Sequence, residues 1–444
     1  MSYSPSLLYF VERLSGYSTN IFKLMASGSH DAAPNSITRI TLPANALLNT
    51  RSFKLHFRAS CVDAPSTGGR LPADLSTLIE RVEVSAGGVQ LSQGTNFYNT
   101  LVNAKAAIQG SRCDSVTGHS ELVRSNKFDG STVIATATAG ADEIYATGTP
   151  HVIDKWEGFL GTCEPKILDA AILPDLVVSI YWADNSVLAS CKQADTHANF
   201  IVAPDAGAAA AYEIKDIHAS IETIGLADSV YDNMVSSMIA SKGFVEIPFK
   251  QYFSFSNTHT GASRFTVATQ SLDRIWTAWR ADGYNTLGAP SPVPGYSTAA
   301  GTDSNTTDIT DLLSAYGGMH GTGAQEKYLT KFQKFSEPGA DGALKYQFQL
   351  NGAYYPQYPA SMEDMYQITK NSLPGQMKYG LTKEQLRDSY FVQCVRLNMP
   401  DSEYSRLVSG LDTRSVSLNG YVNTTGQLTA DSNLMIFAEC TSCL

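Results

Sequence analysis

Charge is scarce in this chain. Only 17% of its 444 residues are Asp, Glu, Lys or Arg, which argues against coiled coil and against charge-driven disorder. Basic charge is scarcer still: Lys+Arg number 32 against 42 Asp+Glu, a formal net charge of −10. Without a Lys/Arg run there is no electrostatic footprint for phosphate backbones, so direct nucleic-acid binding is not expected. No apolar run is long enough to cross a bilayer; the most hydrophobic stretch, 170–189, is broken by Pro174, Asp175 and Asp184. Near the start, Leu7, Leu8, Phe10 and Val11 run into Glu12 and Arg13 with no basic region ahead of them, a pattern unlike a secretory signal. The seven cysteines (Cys61, Cys113, Cys163, Cys191, Cys394, Cys440 and Cys443) are odd in number and thinly spread. That points to a reducing compartment and not to a disulfide framework.

Motifs that carry chemistry are also missing. There is no phosphate-binding lysine loop, nucleophile elbow, HExxH pair or dinucleotide fingerprint. The run Gly317-Gly318-Met319-His320-Gly321 lacks the Gly-Lys-Ser/Thr ending that cradles a phosphate and reads as plain loop. Cys440 and Cys443 form one C-x-x-C, but a structural zinc needs four ligands and no second pair exists. Asp303, Asn305, Asp308 and Asp311 resemble a calcium loop in composition only, since Asp308 stands where the glycine turn belongs. The histidines are single, with His56 and His218 on outward-facing positions. Glu246 and Asp273 are the carboxylates a glycosidase reading would use. The expectation is a protein without catalytic, cofactor-binding or metal-binding residues and without a cofactor.

What the chain has is β pattern. Phe53, Leu55, Phe57, Ala59 and Cys61 alternate with Lys54, His56, Arg58 and Ser60, one buried face and one wet. Leu176, Val178, Ile180 and Trp182 alternate likewise, and Gly87-Gly88 separates two strand-like segments as a hairpin turn. Only 97–108 has helical character in this half, and 110–150 is a Gly/Ser/Thr/Ala-rich excursion. A chain of this length accommodates two β-domains of roughly 200–250 residues.

Short echoes suggest that the second half repeats the first. Arg39-Ile40-Thr41-Leu42-Pro43 resembles Val245-Glu246-Ile247-Pro248, and Leu78-Ile79-Glu80-Arg81-Val82 resembles Ser271-Leu272-Asp273-Arg274-Ile275. Gln90-Leu91-Ser92-Gln93-Gly94 resembles Gln349-Leu350-Asn351-Gly352. Between the last two echoes the second half carries roughly 65 extra residues, about 281–344, far beyond ordinary loop length. The joint lies at 212–255, where a strand (Ile217, Ala219, Ile221) gives way to a helical pattern over 228–242 and then to a new strand (Val245, Ile247, Phe249). The division that follows is an N-terminal arm at 1–30 with a short amphipathic helix (Leu7, Phe10, Leu14), a first domain at 31–225, and a second at 226–444.

These features resemble the double jelly-roll major capsid proteins of tailless icosahedral double-stranded DNA viruses, most closely those of polinton-like viruses and virophages. The resemblance is carried by Leu173-Pro174-Asp175-Leu176-Val177-Val178-Ser179-Ile180, by the 212–255 joint, by Ser271–Ile275, and by Leu407–Asp412 with Leu434-Met435-Ile436-Phe437. It implies an all-β fold of two tandem eight-stranded jelly rolls joined by a short helix, with long loop insertions of which 281–344 would form a tower. It implies a structural protein of the virion, no enzyme, whose homotrimers are pseudo-hexameric capsomers that tile an icosahedral shell. Its partners would be neighbouring capsomers, penton proteins and minor capsid or cement proteins; an internal membrane is left open. The alternative is a β-sandwich carbohydrate-binding or carbohydrate-active protein, which would need surface tryptophans or a carboxylate pair.

Overall fold

The computed structural model describes residues 17–63, 68–70, 74–91, 96–109, 149–170, 175–194, 197–202, 210–226, 247–286, 328–339, 343–373, 390–398, 410–414, 418–428 and 432–443, apart from single positions within these ranges and with a few short stretches between them. The first half contains β1 (Tyr17–Met25), β2 (Ile37–Thr41), β3 (Leu47–Asp63), β4 (Gly68–Arg70), β5 (Ile79–Ala86), β6 (Val89–Gln90), β7 (Thr149–Ile153), β8 (Ile167–Asp169), β9 (Val177–Trp182), β10 (Ala189–Ala194), β11 (His197–Val202) and β12 (Ala210–Leu226). Two sheets form the body of this half, in the orders β1-β12-β3-β7 and β2-β9-β5-β6. With β4, β8, β10 and β11 set aside, eight strands remain. Numbered along the chain, they lie in the orders 1-8-3-6 and 2-7-4-5, the strand arrangement of a jelly roll.

The second half contains β13 (Pro248–His259), β14 (Ala262–Val267), β15 (Leu272–Ala281), β16 (Ser291–Pro292), β17 (Thr307–Asp308), β18 (Tyr328–Leu329), β19 (Lys345–Leu350), β20 (Ala353–Ala360), β21 (Val392–Arg396), β22 (Leu418–Thr425) and β23 (Ser432–Cys443). Its two sheets run β13-β23-β15-β21 and β14-β22-β19-β20. Without β16, β17 and β18, which fall in the 281–344 insertion, the orders are again 1-8-3-6 and 2-7-4-5. The fold is therefore a double jelly roll. Helix α1 (Tyr98–Gln109) follows the fifth strand of the first roll, α2 (Phe159–Thr162) follows its sixth, and α3 (Met362–Ser372) follows the fifth strand of the second.

Alternation explains the first core. Phe53, Leu55, Phe57 and Ala59 on β3 are buried between the sheets with Val178, Ile180 and Trp182 of β9, while Lys54 is exposed. On β12 the inward set shifts from Tyr212 and Ile214 to Ile217, Ala219 and Ile221. The cause is a bulge: the pairing with β3 slips between Lys215 and His218, and Asp216 takes φ 55°. One extra residue moves every later side chain to the other face. The hairpin glycines Gly87 and Gly88 adopt φ 54° and 81°, a conformation other residues enter at a cost.

The duplication is real, but the sequence echoes do not mark it. Residues 39–43 belong to the second strand of the first roll, whereas 245–248 lead into the first strand of the second. Residues 78–82 open a fourth strand and 271–275 a third. The repeats match in strand order, which a buried/exposed alternation can satisfy with many sequences. Residues 17–25, placed by sequence in an arm, form β1 and pair antiparallel with β12 from Tyr17↔Leu226 to Met25↔His218. The amphipathic segment at 7–14 lies outside the described residues, as does nearly all of the helical pattern at 228–242.

In the second core, Phe265 on β14 lies opposite Gly420 on β22. A Cβ built at Gly420 would come 2.2 Å from the Phe265 ring, so the glycine exists to let the ring lie across the sheet. Gly420→Val should destabilise the chain by about 1–3 kcal/mol in urea unfolding, and Phe265→Ala in the same chain should recover part of that loss.

Buried His259 is held neutral between two hydroxyls, with Nδ1 2.7 Å from Ser263 Oγ and Nε2 2.8 Å from Thr424 Oγ1, its ring edge-on to Trp279. Burial lowers its pKa from 6.5 to about 4. The unfolded chain takes up this proton first, so the stability contributed by neutral His259 is complete above pH 6.5 and is lost as pH falls toward 4. The thermal midpoint should drop across that window, and His259→Gln should flatten the drop.

Candidate functional site: the seam between the rolls

Helix α1 owes its place to a split surface. Leu101, Ala104, Lys105 and Ile108 fall on one helical face, and the three apolar members join the second core, while Tyr98 belongs to the first. A helix from the first roll is thus built into the second. In the other direction, Ile247, Phe249 and Phe332 of the second half join the first core.

Polar groups lock this seam. Lys105 Nζ donates to Glu157 Oε2 at 2.7 Å and to the Tyr252 hydroxyl at 2.6 Å, and that hydroxyl donates to the same carboxylate oxygen at 2.9 Å. Lys105 and Glu157 come from the first roll and Tyr252 from β13. Lys105 also lies over the Tyr252 ring, 4.5 Å from its centroid. Burial, and then the nearby Glu157 charge, holds the Tyr252 phenol well above its usual range, so it stays a donor.

Strand β15 lies beneath α1 and is buried from Leu272 to Arg280 on both faces. Its charges are therefore met inside the protein. Arg274 Nη1 donates to Glu439 Oε1 at 3.0 Å and its Nε to the Ser372 carbonyl at the end of α3, while Trp276 Nε1 donates to Glu439 Oε2 at 2.9 Å. Burial opposes ionisation of Glu439, but the Lys105, Arg274 and Lys250 charges outweigh it and lower its pKa. Asp273 accepts from Lys250 Nζ at 2.7 Å, from Thr441 Oγ1 at 2.6 Å and from Ser271 Oγ at 2.9 Å.

Arg280 meets its burial differently. Its guanidinium lies 4.8, 4.1 and 4.9 Å from the ring centroids of Tyr284, Phe332 and Phe335, and Nη2 donates to Thr100 Oγ1 of α1 at 2.9 Å. Desolvation lowers its pKa to about 9, leaving it a cation at neutral pH, held by ring faces. Tyr284 and Phe332 come from opposite ends of the 281–344 insertion. One side chain therefore ties both feet of the insertion to the first roll.

Apart from Asp273, the residues weighed for chemistry fall elsewhere. Asp273 is enclosed by its lysine and hydroxyl donors, and Glu246 lies outside the described residues, as do Asp303, Asn305, Asp311 and His320. Among the described residues no group of three or more His, Cys, Asp or Glu side chains could hold a metal ion. Cys440 is buried, with its thiol pushed up to about 12, and Cys443 is exposed, both within β23. All four tryptophans are buried, Trp156 at 7% exposure being the most open, so none offers a surface platform for a sugar ring. His56 and His218 face outward and stack, centroids 4.9 Å apart with 3° between planes, a cross-strand pair invisible without the register. The seam went unread because its charged residues look solvent-facing in a linear pattern.

Glu439→Gln should cost about 3–5 kcal/mol in denaturant unfolding, because it strands the buried Arg274 cation. Replacing both as Arg274→Met with Glu439→Leu should cost less than that single change.

The sequence matches no family model and no curated protein sequence. Solved structures do match. The PBCV-1 virus capsid quasi-atomic model aligns over 96% of this chain and 94% of its own, with TM-score 0.53 and 10% identity. PBCV-1 VP54, fitted into a reconstruction of the virophage Sputnik, aligns over the same shares with TM-score 0.53 and 12% identity. The Faustovirus major capsid protein aligns over 96% and 90% with TM-score 0.51 and 8% identity. The chain has the double jelly-roll fold of these capsid proteins.

Proposed function

We propose that the chain is a structural major capsid protein, three copies of which form a pseudo-hexameric capsomer that tiles an icosahedral virion shell. One observation carries the reading: a single chain sets two rolls of identical strand order side by side across a buried seam. Three such chains would place six similar rolls around an axis, and near-sixfold edges suit a planar facet. The likeness in fold to viral capsid proteins over nearly the whole chain supports it.

On this reading the first roll ends and the second begins near residue 226. Residues ahead of β1 serve as an arm toward the interior or a neighbour, and the 281–344 insertion stands outward as a tower. Penton and minor capsid proteins complete the shell. The acidic balance of 32 basic against 42 acidic residues suits a shell that does not itself hold DNA. No catalytic role is assigned to any residue.

Light scattering after size exclusion, followed by negative-stain microscopy of the purified chain, tests the reading. Particles of three subunits with a hexagonal outline are expected. A chain that stays monomeric at every concentration would refute it.

A further inference from the structure

Three cations at the seam each face a carboxylate: Arg274 with Glu439 at 3.0 Å, Lys105 with Glu157 at 2.7 Å, and Lys250 with Asp273 at 2.7 Å. Arg280 is the exception. It is 0% exposed, and among the described residues no carboxylate pairs with it. Its Nη2 donates to Thr100 Oγ1 at 2.9 Å, while Nε and Nη1 are buried and have no acceptor in the protein.

The rings around it do not meet that need. Tyr284, Phe332 and Phe335 lie 4.1–4.9 Å from the guanidinium, and their quadrupoles offset part of the cost of desolvating a cation. They leave its net charge uncancelled. A water could accept from the spare N–H groups, but it brings no counter-charge. A buried charge is normally paired as well as hydrogen-bonded, and Arg280 remains a cation at neutral pH.

We infer that a small monovalent anion of the chloride class binds at the edge of the Arg280 guanidinium, accepting N–H groups that no atom of the chain accepts. Charge sets the class. One negative charge balances the single cation, whereas a divalent anion leaves an excess of the opposite sign in the same dry site. Burial sets the size, because a fully enclosed guanidinium packed against three rings gives no approach to a carboxylate or phosphate carried by another macromolecule. Tyr284 is only half-buried, so solvent reaches the outer ring of the site. The consequence is mechanical. Tyr284 and Phe332 stand at the two ends of the 281–344 insertion and Thr100 stands on α1, so the ion neutralises the cation at which all three segments meet. The site is independent of the capsomer reading and goes beyond it.

The test reads the thermal midpoint of the full chain at neutral pH and fixed ionic strength, as sodium chloride replaces sodium gluconate. A saturable rise of about 2–3 °C is expected by a hundredfold excess over the dissociation constant. Arg280→Met should lose that rise. Arg39→Met, which removes an exposed cation from β2, should keep it. A crystal of the unaltered chain grown from sodium bromide should show an anomalous peak within hydrogen-bond reach of Arg280, and this reads the site even if Arg280→Met does not fold. A midpoint indifferent to chloride would overturn the inference. So would a rise equally large in folded Arg280→Met, or bromide peaks at other positions and none at Arg280.

Discussion

Everything in this chain turns on the burial of one sheet face beneath the other roll. An isolated jelly roll buries the inner faces of its two sheets and leaves the outer faces wet. Here the outer face of the second roll's first sheet is dry, and β15 is consequently buried along nearly its whole length. A dry face cannot carry unmatched charge, so each ionic residue on it demands a designed partner: Arg274 has Glu439, Asp273 has Lys250, and Arg280 has three rings. Apolar burial by Leu101 and Ile108 of α1, at about 1.5–3 kcal/mol for each side chain, supplies attraction. The Lys105, Glu157 and Tyr252 triangle supplies the orientation, because its three hydrogen bonds form only in one relative placement of the rolls.

The two rolls share strand order and differ in what joins the strands. From β15 to β19 the chain runs from Ala281 to Lys345, while the equivalent connection in the first roll runs only from Asp63 to Ile79. Between the seventh and eighth strands the disparity reverses: the first roll inserts β10 and β11, and the second turns directly from β22 toward β23. The inserted pieces meet, since β11 pairs with β17 of the opposite insertion. Duplication thus preserved the part of the fold that sets shape. It freed the connections, where interaction and function are placed on most scaffolds.

The sandwich strands were legible because each needs only alternation. Phe53 through Ala59 and Leu176 through Trp182 could be read directly, and so could α1, whose apolar residues recur at helical spacing. Two kinds of feature were not legible. Strand-to-strand equivalence depends on topology, so the resemblance of Glu80-Arg81 to Asp273-Arg274 pointed to a match between a fourth strand and a third. Double-sided burial depends on a distant segment arriving, so nothing local marks the charges of β15 as buried. The bulge at Asp216 likewise leaves no local mark beyond an aspartate that tolerates φ 55°. The edge strand β1 escaped for a related reason. Its sequence, YSTNIFKLM, puts apolar residues on both faces, and only pairing with β12 shows which is inside.

Covalent linkage shapes the physics of the contact between the rolls. The seam within the chain forms at the effective concentration of tethered domains, of order millimolar for short linkers, and its buried ionic groups make it costly to open. The outer face of the β1-β12-β3-β7 sheet is built from different materials: exposed Ile21 and Met25, exposed Lys23 and Lys54, and a stacked pair of imidazoles. The two copies of one sheet thus part company in chemistry: in the second roll the outer face is dry and its charges are matched, and in the first the same face carries exposed apolar and lysine side chains.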